Sequence, residues 1–430
     1  MIFEVTEMTE YKALILAGGQ GSRLAPITDG IPKPLVPVSD KAVISHTLAR
    51  LCSEGIKNAA VTLGHGKDEI KKYLSEHGTE GVELKYFEEE TPLGTAGSAA
   101  GAKSFFDGDF ITLGGDVVFD FDIMPAFEAH KKHGALVTVI VSHSADPCRY
   151  GAIIYDKDGR VTDFSEKPSW RRVHGDTVST GIYILSPRIF DFIRAGTFSD
   201  FAKDVFPSLV GGAVFAHETD GYFCDIGTPA AYLKTCVDAE EGKIRGVDGA
   251  SVSPRAKVSK DAQITHSVVM DGAAVGAGAT VKNSIVCKNA VIMCGAVVDC
   301  AIVTAGGVVP TNATAHKSDA LAEFRGDISD AKSAMRRASG EFGDEIMPFG
   351  TTYSVTGVTE APHGAAKTVG ELILRGATRR DEGVRLIFDD GCADVCCVDG
   401  DTVEITSRAA TGERAGELFQ YAKNGVKNLF

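Results

Sequence analysis

The stretch LAGGQGSRLAPITDGIPKPL, residues 16–35, gathers residue types suited to holding a polyphosphate. Gly18, Gly19 and Gly21 leave backbone N–H groups uncovered, so an anion can approach without a side chain in the way. Ala17 precedes them, Ser22 adds a hydroxyl, and Arg23 adds a planar, permanently charged fork for phosphate oxygens. Lys33 follows between Pro32 and Pro34, which hold it on a stiff, extended loop. The pattern is not the dinucleotide GxGxxG. Nor is it the P-loop, whose lysine is fixed to its glycine.

Such a loop needs a scaffold, and the surrounding sequence predicts one. From 11 to about 141, apolar runs (YKALILA, AAVTL, ELKYF, FITL, ALVTVIV) alternate with helical patterns near 41–54, 67–77, 96–104 and 123–133. Runs apolar on both faces are strands buried between helix layers, and their alternation with helices implies right-handed βαβ crossovers. The expected fold is α/β, a Rossmann-like, mostly parallel sheet. The glycine-rich turn lies at the carboxyl edge of its first strand, where open α/β sheets bind ligands. GAIIYDKDGRVTDF reads as a hairpin turning at Asp158-Gly159, and a helix is expected near 228–240.

At about residue 250 the composition changes. Val252, Val258 and Ile264, then Val275 and Val281, then Val291 and Val297 recur at six-residue steps, joined by Val269, Val286 and Ile302. Small residues fill the positions between. This hexapeptide pattern predicts about three coils of a short left-handed parallel β-helix. Farther on, 319–338 looks helical and 341–368 lacks periodicity. The end reads as a small α+β unit: strand 384–388, a turn-rich segment, strand 402–407 and a helix bearing Ala415, Leu418, Phe419 and Ala422.

Composition limits the partners. Lys and Arg total 44 against 58 Asp and Glu, a net charge of -14, which argues against nucleic acid or an anionic membrane surface. No apolar run is long enough to span a membrane, and Met1 to Glu10 lacks the features of a signal peptide. Ten cysteines without CxxC pairs or zinc spacing fit reduced thiols in a cytoplasmic protein. His65, His143 and His266 show no partner in the sequence and receive no role. Asp120 and Asp122 read as caps or turns.

Taken with the first loop, four later segments carry a resemblance: EEETPLGTAG (88–97), LGGD (113–116), FSEKP with STGIYILSP (164–168, 179–187), and YFCDIGTP (222–229). In this order they resemble the sugar-1-phosphate nucleotidyltransferases, over about 11–240. PLGTAG with DIGTP is most similar to the mannose-1-phosphate guanylyltransferases. The resemblance implies Mg²⁺-dependent nucleotidyl transfer from a nucleoside triphosphate to a sugar-1-phosphate, with GTP and mannose-1-phosphate first. It implies Asp116 and Asp225 as metal ligands, and Arg23 on the departing pyrophosphate. Lys33 falls on the triphosphate and Lys167 on the attacking sugar phosphate. Gly151, Glu166 and Ser179 match sugar contacts; Gly94, Thr95 and Glu89 match contacts to the base, Glu89 as an acceptor for guanine.

The expected division is a tail over 1–10, a nucleotidyltransferase domain over 11–247 and a β-helix over 250–315. A linker or helical segment over 316–375 leads to the α+β domain over 376–430. The last piece weakly resembles the final domain of phosphohexomutases, but CCVDGDT stands where that family has its phosphate loop. A homo-oligomer through the β-helix or this last domain is expected. The rival functions are transfer to glucose-1-phosphate with another nucleotide, a non-catalytic nucleotide-sugar sensor, and acyl transfer by the β-helix.

Overall fold

The computed structural model describes residues 10–316 apart from 40, 145–146, 169–172, 174 and 248. Beyond them it describes strand backbone at 346–348, 353–360, 378–380, 383–388, 391–397 and 402–409, and position 420. Two compact units are present: Met1–Lys167, Asp176–Gly227 and Gly242–Asp248 make the first, and Pro168–Gly175, Thr228–Glu241 and Gly249–Phe430 the second.

The first unit opens with β1 (Lys12–Leu16), the short hairpin β2 (Pro37–Val38) and β3 (Lys41–Ala42), and α1 (Val43–Ser53). Helix α1 forms because Ile44, Leu48 and Leu51 repeat on one face. It stops at Gly55, whose φ of 80° admits the reversal. Then come β4 (Asn58–Leu63), α2 (Lys67–His77), β5 (Glu83–Glu88), α3 (Gly94–Gly101), β6 (Phe110–Gly114), β7 (Val117–Phe119) and α4 (Met124–His133). The unit closes with β8 (Val137–His143), β9 (Gly151–Tyr155), β10 (Val161–Glu166), β11 (Thr177–Leu185), β12 (Val214–Glu218) and β13 (Phe223–Asp225).

Strand β1 pairs in parallel with β4 and with β6, and β4 with β5. Strand β11 lies antiparallel between β6 and β8, and β8 pairs in parallel with β12. The β9–β10 hairpin turns where expected, Gly159 N–H donating to the Asp156 carbonyl at 2.9 Å. Ala13 and Ile15 pack with Leu48, Leu51, Ile70 and Phe127 on one side of the sheet; Leu14 and Ala60 pack with Ala96 and Ala99 on the other. Both faces of β1, β4, β6 and β8 are therefore buried, as their sequences predicted. Strand β5 is the exception: an edge strand, its side chains partly or wholly exposed. The chain leaves β1 for β4 on one side and later returns to β6 on the other, so the crevice above β1 and β6 is the switch point of the sheet.

His143 acquires partners invisible in the sequence: Nδ1 meets Asp176 at 3.1 Å and Nε2 meets Glu218 at 2.8 Å. Asp120 accepts from Tyr222 N–H, and Asp122 pairs with Arg50 and Arg245, structural roles as expected.

In the second unit, α5 (Pro229–Glu240) begins at Thr228, whose hydroxyl accepts from Ala231 N–H. Ser251 Oγ donates to the Cys236 carbonyl, and Tyr232 is buried, which raises its phenol well above the ordinary range. The chain then coils. Val258, Val275, Ile292 and Val309 stack in parallel register, as do Ile264, Val281, Val298 and Ala315. Buried Ser267 and Ser284 accept from backbone N–H groups of the next coil, at a sequence spacing of 17.

That spacing corrects the expected repeat. A coil has 17 residues, so one of its three steps is five rather than six. The inward series runs Val275, Val281, Val286, Ile292, Val298, Val303, each 2% exposed or less. Val291 and Val297, expected inside, are turned partly outward, and Val258 is exposed. Corners fall into the same rhythm: His266, Asn283 and Cys300 all have positive φ, as do Gly272, Asn289 and Gly306.

The region expected as linker contributes strands. Ile346–Pro348 pairs antiparallel with Ala301–Val303, and Tyr353–Glu360 forms the edge of a five-stranded antiparallel sheet. Gly391–Cys397 is a strand of that sheet, where a turn-rich segment was expected. None of these three segments carries a clear apolar period in the sequence, which hid the strands. The helices expected at 319–338 and in the final segment lie outside the described residues, save position 420. Among the described residues no helix is long and apolar enough to cross a membrane.

Candidate active site

Two glycine-flanked carboxylates meet above β1. Strand β7 follows Asp116 directly and pairs antiparallel with β13, with Val117 opposite Asp225. That register sets Asp225 beside Asp116. Glycines shape both approaches: a Cβ at Gly114 would stand 2.4 Å from Asp116 Oδ1, and one at Gly227 would stand 3.0 Å from Asp225 Oδ2. Lys33, 9% exposed, reaches both carboxylates, donating to Asp116 Oδ2 and, at 3.1 Å, to Asp225 Oδ1.

The electrostatics follow. Burial opposes charge on the Lys33 ammonium, yet the two carboxylates outweigh it and its pKa is raised. Burial, reinforced by the Asp225 charge, raises the Asp116 pKa from its ordinary value although Lys33 pulls it down. This is a pair of acids drawn together on one cation. Two carboxylates are the kind of oxygen donor a divalent ion takes, and no third Asp, Glu, His or Cys joins them among the described residues. An oxygen-seeking ion held by two carboxylates keeps its other positions for water and phosphate.

The same two carboxylates line a cleft of about 480 Å³, within the range of small-molecule sites. Ala17, Gly18, Gly19, Arg23 and Lys33 line it from the first loop, every lining residue belonging to the first unit. Arg23 is exposed at the rim, in a short turn at Ser22–Leu24, and makes no ion pair with a described residue. Gly151, Glu166 and Lys167 line the cleft from the β9–β10 hairpin. Lys167 has φ 46°, left-handed backbone that costs about 1–3 kcal/mol for a non-glycine residue, and its N–H donates to the Tyr150 carbonyl. Its ammonium lies 3.5 Å from Glu166 Oε1.

Glu89, Gly94 and Thr95 line the cleft as well. Glu89 Oε2 accepts weakly from Leu93 N–H at 3.4 Å; Oε1 is buried with no hydrogen-bond partner. Thr95 Oγ1 accepts from Phe201 N–H at 2.9 Å, so its hydroxyl serves the fold first. Ser179 lies at an irregularity of β11 and is only 5% exposed, its hydroxyl taken up by Gly181 N–H and Tyr183.

Two expected contacts stand apart from the cleft. Gly21 faces the stem of Lys33, where a Cβ would meet Lys33 Cβ at 3.0 Å, and Ser22 is exposed in the following turn. Both shape the loop rather than line the site. Sequence reasoning missed Arg149, Tyr150, Phe198 and Asp200, which also line the cleft. Arg149 directly precedes the YGAI segment and was legible as a neighbouring cation; Phe198 and Asp200 carried no signal.

Comparison with known proteins places most of the first unit in one family. Residues 12–242 match the family described as Nucleotidyl transferase, and 234–317 match a GlmU-like C-terminal hexapeptide region. The mannose-1-phosphate guanylyltransferase catalytic subunit beta of Drosophila pseudoobscura is 34% identical over 227 residues, 52% of this chain and 60% of its own length. The corresponding subunit of Dictyostelium discoideum is 33% identical over 228 residues, with 52% and 62% covered. A UTP–glucose-1-phosphate uridylyltransferase of Synechocystis is 33% identical over 261 residues, with 56% and 67% covered. The chain thus spans about 60% of the length of the guanylyltransferases it matches.

Proposed function

Because this chain belongs to the nucleotidyl transferase family, we propose that it transfers a nucleotidyl group from a nucleoside triphosphate to a sugar-1-phosphate, releasing pyrophosphate. The observation that carries the proposal is Lys33 joined to Asp116 and Asp225 in a cleft that Arg23 and Lys167 also line. An oxygen of the sugar phosphate attacks the α-phosphorus, and the bond from that phosphorus to the pyrophosphate oxygen breaks opposite it. Two anions must be brought together, so catalysis is positioning and neutralisation of charge. The attacking oxygen is already ionised, and no general base is required.

Each residue has one task in this reading. Asp116 and Asp225 would hold the divalent ion, taken as Mg²⁺, which when bound would neutralise phosphate oxygens and favour nucleophilic attack. Arg23 grips the leaving pyrophosphate with the backbone of Gly18 and Gly19. Lys33 neutralises the triphosphate and Lys167 the incoming sugar phosphate. Gly151 and Glu166 take the sugar hydroxyls, with Ser179 beside them.

For the nucleotide, we favour GTP. The unpartnered Glu89 Oε1 is a buried acceptor, and guanine offers an N–H pair along one edge where adenine does not. The guanylyltransferase relatives support mannose-1-phosphate as the acceptor, and GDP-mannose as the product. A homo-oligomer formed through the β-helix or the C-terminal sheet belongs to the same proposal. The test is pyrophosphate release across four nucleoside triphosphates and several sugar-1-phosphates with Mg²⁺. GTP with mannose-1-phosphate is expected among the best pairs. A best pair of UTP with glucose-1-phosphate would overturn the specificity, and no release from any pair would overturn the reaction.

A further inference from the structure

Phe198 takes no part in the roles given so far. Its side chain lines the cleft yet is 69% exposed. A single apolar residue on a surface ordinarily needs no explanation. The segment that carries this one, however, is anchored on both sides of it. Ser199 N–H donates to the Leu93 carbonyl at 2.9 Å, and the Ser199 carbonyl accepts from Ala96 and Gly97 N–H at 2.9 and 3.1 Å. Thr95 Oγ1 accepts from Phe201 N–H, and Thr197 Oγ1 donates to the Arg194 carbonyl at 2.7 Å.

Two glycines of α3 admit the segment. A Cβ at Gly94 would stand 2.5 Å from the Ser199 carbonyl oxygen and 3.2 Å from the Phe198 ring; one at Gly97 would stand 2.6 Å from the Thr197 carbonyl oxygen. The GTAG motif therefore does more than offer bare backbone: it docks the segment carrying Phe198. Glu89, with its unpartnered oxygen, lines the same cleft and is tied through Leu93 to the same stretch. An aromatic face and an edge acceptor together suit a planar heterocycle that bears N–H donors.

We propose that Phe198 is the platform on which the nucleobase of the triphosphate stacks, a binding residue that sets affinity for the base without choosing among purines. The inference rests on the nucleotidyl-transfer reading and deepens it. Every base has a π-face, so stacking on an aromatic side chain tolerates sequence, and its loss costs roughly 5- to 100-fold in affinity. Choice of base is left to the edge contact at Glu89.

Calorimetric binding of GTP, ATP and inorganic tripolyphosphate, each with Mg²⁺, to the full chain and to Phe198→Ala and Phe198→Trp variants tests this. Phe198→Ala should weaken GTP and ATP by the same factor, about 5- to 100-fold, and leave tripolyphosphate unchanged. Phe198→Trp should restore nucleotide binding. Unaltered GTP and ATP binding by the alanine variant, or an equal loss for tripolyphosphate, would overturn the stacking role while nucleotidyl transfer stands. Failure of the parent protein to bind any nucleoside triphosphate would overturn the reading beneath it, and the platform with it.

Discussion

Lys33 and the two aspartates show how a reactive site is held ready at a cost. Burial and the neighbouring Asp225 disfavour the ionised form of Asp116, and Lys33 offsets only part of that. A carboxyl whose pKa is raised on folding loses stability as pH climbs from the ordinary carboxylate range through the raised value, and the penalty is complete above it. Asp116→Asn removes the titration. It should lower the rate of pyrophosphate release by about 10²–10³-fold, while its Tm at pH 7 equals or exceeds that of the parent. Melting curves from pH 4 to 7 beside steady-state kinetics check this. A large fall in Tm would make Asp116 a structural residue.

Among the elements, the β-helix is governed by its corners. Positive φ recurs at His266, Asn283 and Cys300, one coil apart, because the chain must turn at the same place in each coil. Left-handed backbone costs about 1–2 kcal/mol for most L-residues, and asparagine tolerates it better than alanine. Asn283→Ala should therefore destabilise the second unit by about 1 kcal/mol, whereas Asn283→Gly should leave it equally or more stable. Denaturant melts followed by circular dichroism distinguish the two. Equal losses in both variants would assign the effect to the Asn283 side chain and its 3.5 Å contact with Asp299.

Across the whole molecule, the two units each have a core of their own. Leu14, Ile15 and Leu48 belong to clusters of the first; Val281, Ile292 and Val298 belong to that of the second. The cleft is built wholly from the first unit. Calorimetric unfolding should resolve two transitions, and GTP with Mg²⁺ should move only one of them. At one hundred times Kd the gain is about 2.7 kcal/mol. A single transition that shifts as one would show that the units unfold together.

What the amino-acid order determined by itself was local. Apolar periodicity located β1, β4, β6 and α1, because buried strands and an amphipathic helix write their environment into successive residues. Glycine beside charge marked Arg23, since close approach to an anion leaves no room for a Cβ; Lys33 stood out between its two prolines, while Asp116, Lys167 and Asp225 were marked by the resemblance of their segments. The five-residue step of the β-helix stayed hidden, because adjacent branched residues within one strand, Val291–Ile292 and Val297–Val298, satisfy a six-residue reading equally well. Tertiary structure alone decided what depends on register between distant strands. It set Val117 opposite Asp225, which joined two acids to one lysine, and docked Ser199 on Gly97, which put Phe198 at the cleft. Pairing across the chain fixes such neighbours, and no spacing within either segment records it.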